Sequence, residues 1–243
     1  MPILAVILLH WYLSAFCQTF FLHRYSAHHM FAMSKFWERF FYILTFMTQG
    51  SSYLNPRAYA ILHRMHHAYS DTEKDPHSPI FYRNPFAMMK KTFFVYVGLS
   101  KRTDIPEQQF EGGYPEWSVF DRIADSFPPR FIFAVGYLLF YLHFATAWWQ
   151  FLFFPIHIFM GPIHGAIVNW CGHKYGYATY DNCDHSKNTL FVDLLTMGEL
   201  MQNNHHQHNA RVNFASRWFE IDPVYPFIKL FNMLGIIRLK TAG

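Results

Sequence analysis

Residues 131–170 read FIFAVGYLLFYLHFATAWWQFLFFPIHIFMGPIHGAIVNW, a run of forty positions without a single Lys, Arg, Asp or Glu. About 20 apolar residues span the hydrocarbon of a bilayer, so this stretch is long enough for two crossings with a turn near Pro155. Residues 1–22 are equally free of charge and supply one more span. All 20 basic and all 16 acidic side chains lie in 23–130 and 171–243. That division predicts an all-α integral membrane protein with about three spans, at 2–22, 131–150 and 152–171. A single domain over 1–243 is expected, its stem capped by the charged segments 23–130 and 172–243.

Basic residues stay on the cytoplasmic face of a membrane. Thirteen fall in 23–130 and seven in 171–243, so both blocks are expected in the cytoplasm, with Met1 and the hairpin at 150–156 on the outer face. The first run has no basic segment before it and reads as a retained span, not a cleaved signal peptide. A formal charge of +4 suits a surface apposed to anionic headgroups. Three cysteines, Cys17, Cys171 and Cys183, form no paired framework and no thiolate metal motif. No basic patch exceeds Lys90-Lys91 or Lys101-Arg102, so nucleic acid is not an expected partner. Segment 36–54 is apolar but carries Glu38 and Arg39 and is expected along the interface or inside the cap. Segments 84–99 and 223–239 read as amphipathic surface helices, and 188–204 as a helix. Alternation of the strand type is absent.

Most of the 16 histidines sit in three boxes, His23-Arg-Tyr-Ser-Ala-His28-His29, His63-Arg-Met-His66-His67 and Asn203-Asn204-His205-His206-Gln207-His208. Imidazole is the ligand of choice for iron, zinc and copper. His63, His66 and His67 share one face of a helix, a fan able to serve two adjacent ions. His23 and His28, five apart, pair only where a regular helix ends or unwinds. His173 stands four residues after Asn169, on the same helical face. Glu199, Asp71 and Asp75 are placed to orient imidazoles, since metal-bound rings lean on carboxylates. His29, His77, His185 and His208 read as neighbours or surface groups, and His10, His143, His157 and His164 as polar groups bonded between helices, with His164 a reserve ligand.

The HxxxxH, HxxHH and NNHH boxes, together with NWCGHKYGY at 169–177, resemble the membrane acyl-CoA (stearoyl-CoA-type, Δ9) fatty acid desaturases. The resemblance covers nearly the whole chain. It implies two non-haem irons in a cytoplasmic site, dioxygen as co-substrate and a cis double bond made in a long acyl chain. His23, His28, His63, His67 and His206 would hold one iron. His66, His173 and His205 would hold the other, with Asn169 reaching it through water. Two departures stand out. Gln202 occupies the place of a family histidine and is a weaker ligand, for which His208 or His164 could substitute. Three spans are visible where the family has four.

A methylene carbon offers neither an acidic proton nor a leaving group, so the expected role of the protein is positioning and exclusion of water. An apolar tunnel lined by the first span and 131–153 is expected, with Lys90, Lys91, Lys101 and Arg102 near the phosphates of a polar carrier. The acyl group would ride on CoA, on acyl carrier protein or on a lipid. No haem, cysteine or GxGxxG motif is present, so electrons come from a separate ferredoxin- or cytochrome b5-type donor. The expected location is a bacterial inner membrane. Two alternatives are a related diiron lipid hydroxylase or ketolase, and a membrane haem or metal-binding protein that uses His10 with His157.

Overall fold

The computed structural model describes residues 2–240; the expected outer position of Met1 falls outside them. Helix α1 (Pro2–Cys17) continues without a break into a π-helical segment, Gln18–Ala27. The two form one apolar helix of 26 residues. Its N-terminal part exposes Leu8 and Leu9 while Ile3 and Ile7 pack with Tyr141. Its C-terminal part is largely enclosed: Phe20, Phe21 and Leu22 belong to the main apolar core. Strand β1 (Phe31–Met33) follows, then α2 (Lys35–Gln49), α3 (Pro56–Tyr69) and α4 (Pro85–Ser100). Their starts are written in the sequence. The Ser34, Asn55 and Asn84 side chains accept hydrogen bonds from Trp37, Ala58 and Ala87 N–H, and Pro56 and Pro85 occupy the first turn, where no amide is needed.

The chain then runs through α5 (Ser118–Ala124), α6 (Phe127–Phe144), α7 (Phe154–Ile158) and α8 (Met160–Gly172). A long loop leads to α9 (Gln202–Gln207), α10 (Tyr225–Met233) and strand β2 (Ile237–Leu239). Two helices, Pro2–Ala27 and Phe127–Phe144, are long and apolar enough to cross a membrane, and a third span exists if Trp148–Ile158 and Met160–Gly172 count as one. That pair is bent by 75°. The expected continuous span over 152–171 is therefore broken, and the expected 131–150 span starts four residues earlier and stops at Phe144. Helix α2 lies between the first two histidine boxes without separating them. It turns Phe36, Phe40, Ile43 and Met47 outward and buries Phe41, Tyr42 and Thr45.

The class is all-α as expected, with one small addition: β1 pairs antiparallel with β2, Phe31 opposite Leu239, clamping the segment after the first box. One expectation of a helix fails. The 188–204 segment is not a helix before Gln202. The Asp193 carboxylate accepts from the N–H groups of Thr196, Gly198 and Leu200, offering the backbone a tight loop instead of a helix. Gly198, at φ +96°, completes that turn. The fully buried Arg24 joins the first box to the last segment, pairing with Asp222 at 2.7 Å and covering the Phe214 ring at 3.8 Å.

Asp193→Ala leaves the buried Thr196 and Leu200 N–H groups without an acceptor, while Gly198 keeps the Asp193 carbonyl at 3.0 Å, and should destabilise the fold by about 2 kcal/mol. Denaturant unfolding in detergent measures this; a change below about 0.5 kcal/mol would show that the loop does not depend on the carboxylate.

Candidate metal centre

The π-helical winding settles the five-residue spacing of the first box. With i→i+5 hydrogen bonding, seen in His28 N–H donating to the His23 carbonyl at 3.1 Å, residues five apart stack on one face. The His23 and His28 rings lie 5.0 Å apart. On α3, His63 and His67 are one turn apart, and His66 points to the side. His173 caps the end of α8. On α9, consecutive residues diverge by about 100°, so His205 and His206 face different ways. His205 turns to the Phe214 ring at 4.5 Å, His206 to Asp184.

Two groups of imidazoles result. His23, His28, His63, His67 and His205 form the first; His66, His173 and His206 form the second. The assignment implied by the resemblance is thus exchanged at one pair, with His205 in the five-membered group and His206 in the three-membered one. Within the first group, the nitrogen pairs His23–His205, His28–His63, His63–His67 and His67–His205 are separated by 2.9, 2.7, 3.0 and 3.0 Å. Nitrogens at right angles around an ion with bonds of about 2.1 Å stand about 3.0 Å apart, so these are edges of a coordination shell. In the second group the Nε2 atoms of His66, His173 and His206 are all buried and unpartnered. Buried polar nitrogens are paired in folded proteins. The donor set and its orphaned atoms fit a pair of first-row metal ions.

Each ring of the second group has a carboxylate behind it. Asp75 lies 2.9 Å from His66 Nδ1, Asp71 2.9 Å from His173 Nδ1 and Asp184 2.5 Å from His206 Nδ1. In the first group Glu199 lies 2.5 Å from His23 Nδ1, and it also accepts from the Thr19 hydroxyl. This arrangement fixes the tautomer that turns Nε2 inward. Burial would raise the Asp71 and Glu199 carboxyls, but the hydrogen bonds and charges of His173, and of His23 with Arg24, bring each down to about 2. Asp75 and Asp184 are held low in the same way by His66 and His206. Burial, reinforced by neighbouring imidazoles, pushes His28, His63, His67 and His205 well below the ordinary histidine range. His206 falls to about 4, mainly by burial. His66 goes the other way, because Asp75 outweighs its burial. Sequence reasoning anticipated Glu199, Asp71 and Asp75. It missed Asp184, which sits 22 positions before its partner with no spacing to announce it.

The other candidates fall outside both groups. Gln202 donates its amide to the Glu199 carbonyl at 2.7 Å, and Asn169 donates to the Gly165 carbonyl at 2.8 Å. His208 packs on the Tyr180 ring, His29 accepts from Arg64, and His185 is exposed beside Asp71. Neither His208 nor His164 takes the place of the family histidine. His10 and His157 are hydrogen bonded at 2.7 Å in the stem, leaving no slot for a porphyrin between them.

A cavity of about 1040 Å³ reaches the groups from one side, ending at His63, His77, Asn169 and Gln202. Its walls are α3, α4 and α8, with Leu62, Phe93, Val97 and Val168 among them. Of the expected lining, the first span contributes only Gln18 and 131–153 contributes no residue, while Ile3 and Ile7 of α1 pack with Tyr141 instead. Lys90, Lys101 and Arg130 stand at the rim, whereas Lys91 is bonded to the carbonyls of Glu73 and Asp75 and Arg102 pairs with Glu116.

Residues 1–229 match the fatty acid desaturase family. An sn-1 stearoyl-lipid 9-desaturase of Anabaena variabilis is 30% identical over 237 residues, covering 95% of this chain and 80% of that protein. A protein of the same name from Synechocystis is 28% identical over 89% of this chain, which spans only 64% of it. An acyl-CoA 5-desaturase of Anemone leveillei is 27% identical over 91% of this chain and 66% of that protein. The chain belongs to the fatty acid desaturase family, metal-dependent membrane oxidoreductases that act on fatty acyl groups.

The metal-free protein should lose stability on acidification. Below about pH 6.5 the unfolded chain protonates its histidines, while in the fold His206 stays neutral until about pH 4 and burial holds His28, His63, His67 and His205 well below the ordinary histidine range. The unfolded state then binds more protons, so stability falls as pH drops through this window and returns as it rises; His66 opposes the trend by one group. Thermal melts of chelator-treated protein should show a lower Tm at pH 5 than at pH 7.5, and an equal or higher Tm at pH 5 would contradict the burial of neutral rings.

Proposed function

We propose that the protein introduces a cis double bond, at the Δ9 position, into a long-chain acyl group, using dioxygen, two electrons and a pair of non-haem irons. The carrying observation is that two imidazole groups, each backed by a carboxylate, stand at the end of one long apolar cavity. Nitrogen donors of this kind suit iron, copper or zinc. Zinc has no redox chemistry, and the removal of two hydrogens from adjacent methylenes with reduction of dioxygen to water is an oxidation; iron meets both conditions. His23, His28, His63, His67 and His205 would hold one ion. His66, His173 and His206 would hold the other, with Asn169 reaching it through a water. When bound, the irons supply the activation of dioxygen that breaks unactivated C–H bonds.

The chain does the rest. Glu199, Asp71, Asp75 and Asp184 keep the rings turned inward and neutral towards the ions. The cavity walls strip water from the acyl chain and fix which carbons meet the site. The acyl carrier is read from the polar edge of the cavity, where Lys90 and Lys101 offer cations to a phosphate, whereas Arg130 is bonded to the Ser51 and Tyr53 carbonyls and paired with Asp125. Phe93, Phe127 and Phe159, each more than half exposed, border the same opening. That combination supports a carrier at the membrane surface. A second, polar cleft of about 440 Å³ has His67 and His206 on its floor. It supports the approach of an external electron donor of the ferredoxin or cytochrome b5 type from the water side. The basic residues of the charged blocks support a cytoplasmic position for this side, with three passes if the bent α7–α8 pair crosses.

Expression in a host lacking desaturase, with double-bond mapping of total lipids, should reveal a new Δ9 olefin, and His63→Ala should abolish it. An alcohol or ketone in place of the olefin, or olefin undiminished in the variant, would defeat the reading. Purified protein should carry about two irons per chain. His173→Ala should retain about one, as read by elemental analysis.

A further inference from the structure

The segment Asp75-Pro76-His77-Ser78 passes beside the second imidazole group, and His77 forms part of the cavity wall there. His77 is 3% exposed, and both of its ring nitrogens are buried without a hydrogen-bond partner. A neutral imidazole carries one donor and one acceptor, and buried polar atoms nearly always find partners. A ring with both atoms unpaired therefore marks the place of a group that the polypeptide does not itself supply.

Its position is set from two directions. The His77 ring lies 4.3 Å from that of His66, as close as any pair within the first group, such as His23 and His63 at 4.3 Å. Its backbone N–H donates to Asp75 Oδ1 at 2.9 Å. The same carboxylate holds His66 Nδ1, so one side chain registers His77 against a member of the second group. His77 is not itself a member. It comes within 4.8 Å of His66 and Asp75 but does not join His173 and His206 in the cluster that shares a common centre. Among the other polar groups that line this end of the cavity, Asn169 donates to the Gly165 carbonyl and Gln202 to the Glu199 carbonyl; His164, whose ring is also unpartnered among the described residues, joins none of the groups that could hold a metal. His77 retains its N–H.

We infer that His77 is a positioning residue that would donate a hydrogen bond to a water, anion or oxygen ligand of the metal held by the second group. The inference rests on the metal reading of the second group proposed above. A group of three protein nitrogens leaves positions for such a ligand, and the five-membered group leaves fewer. The distance pattern accounts for both halves of the claim: too far to replace an imidazole, near enough to reach what the metal holds.

The test uses the purified full-length protein loaded with iron, and azide as the probe anion. Azide is titrated against the oxidised centre by visible absorbance, with iron per chain measured on the same samples. His77→Ala should keep the parent iron content and bind azide about tenfold more weakly, the size expected for one lost hydrogen bond to a charged group. His77→Gln, which keeps an N–H donor of similar reach, should recover azide affinity to within about threefold of the parent. Unchanged azide affinity in His77→Ala would overturn the inference and leave His77 as wall. A fall to about one iron in both variants would overturn it in the other direction, making His77 a ligand. Parent protein that binds no iron would instead defeat the metal reading, and this inference with it.

Discussion

Eight imidazoles gathered out of water are the constraint that the rest of the molecule answers to. Three of their inward nitrogens have no protein partner, and those of the first group face one another at hydrogen-bond distance with nothing else to bind. Leaving one buried polar atom unpaired costs about 1–3 kcal/mol, a large fraction of the whole stability of a domain. Such a cluster persists only if something returns that energy. The carboxylates return part of it, since Asp71, Asp75 and Asp184 each accept from the outer nitrogen of one ring and Glu199 lies 2.5 Å from that of His23. The metal ions of the proposed function would return the remainder.

Local backbone geometry makes the gathering possible. A regular α-helix would send His23 and His28 to different faces, and the π-helical segment brings them to one. The wider winding is held by the enclosed aromatic residues Phe20 and Phe21 on one side and by buried Arg24 with Asp222 on the other. At the far end, α9 is short because its neighbourhood is built from side chains that bond the backbone. Asn188 and Asn204 are linked at 2.8 Å, and Asn203 accepts from the Thr179 and Tyr180 N–H groups. Those amides leave α9 no freedom to rotate, and His205 and His206 are thereby divided between the two groups.

The membrane stem and the three boxes were legible in the sequence because both are compositional signals: an uncharged run of forty residues, and histidines at helical spacing. Carboxylates close to a box in sequence or on an expected helix, Asp71, Asp75 and Glu199, could be named for the same reason. What stayed hidden depends on tertiary direction. That neighbouring histidines on α9 must diverge follows from helix geometry, but which one faces which group depends on the roll of α9, fixed by Asn188, Phe214 and Glu220 from other segments. Asp184 is remote from His206 along the chain. The loop over 188–201 read as a helix because its apolar spacing is helical; the Asp193 carboxylate overrides that pattern with three local hydrogen bonds.

The two groups are unequal, and their inequality has a direction. Five imidazoles close the first almost completely, and three leave the second open. The apolar cavity touches the first group directly at His63 and comes near the second through His77, whose ring lies 4.3 Å from that of His66. The polar cleft arrives from elsewhere, over His67 and His206, one ring from each group. Under the proposed function the acyl chain and the reductant thus approach by different faces, and the wall of rings lies between them. Electrons would enter through the polar cleft while the carbons being oxidised stay within apolar walls. A small ligand of the second ion would lie near His77, where the cavity comes closest to that group. A symmetric pair of closed sites would hold metal equally well but would leave neither face able to exchange anything.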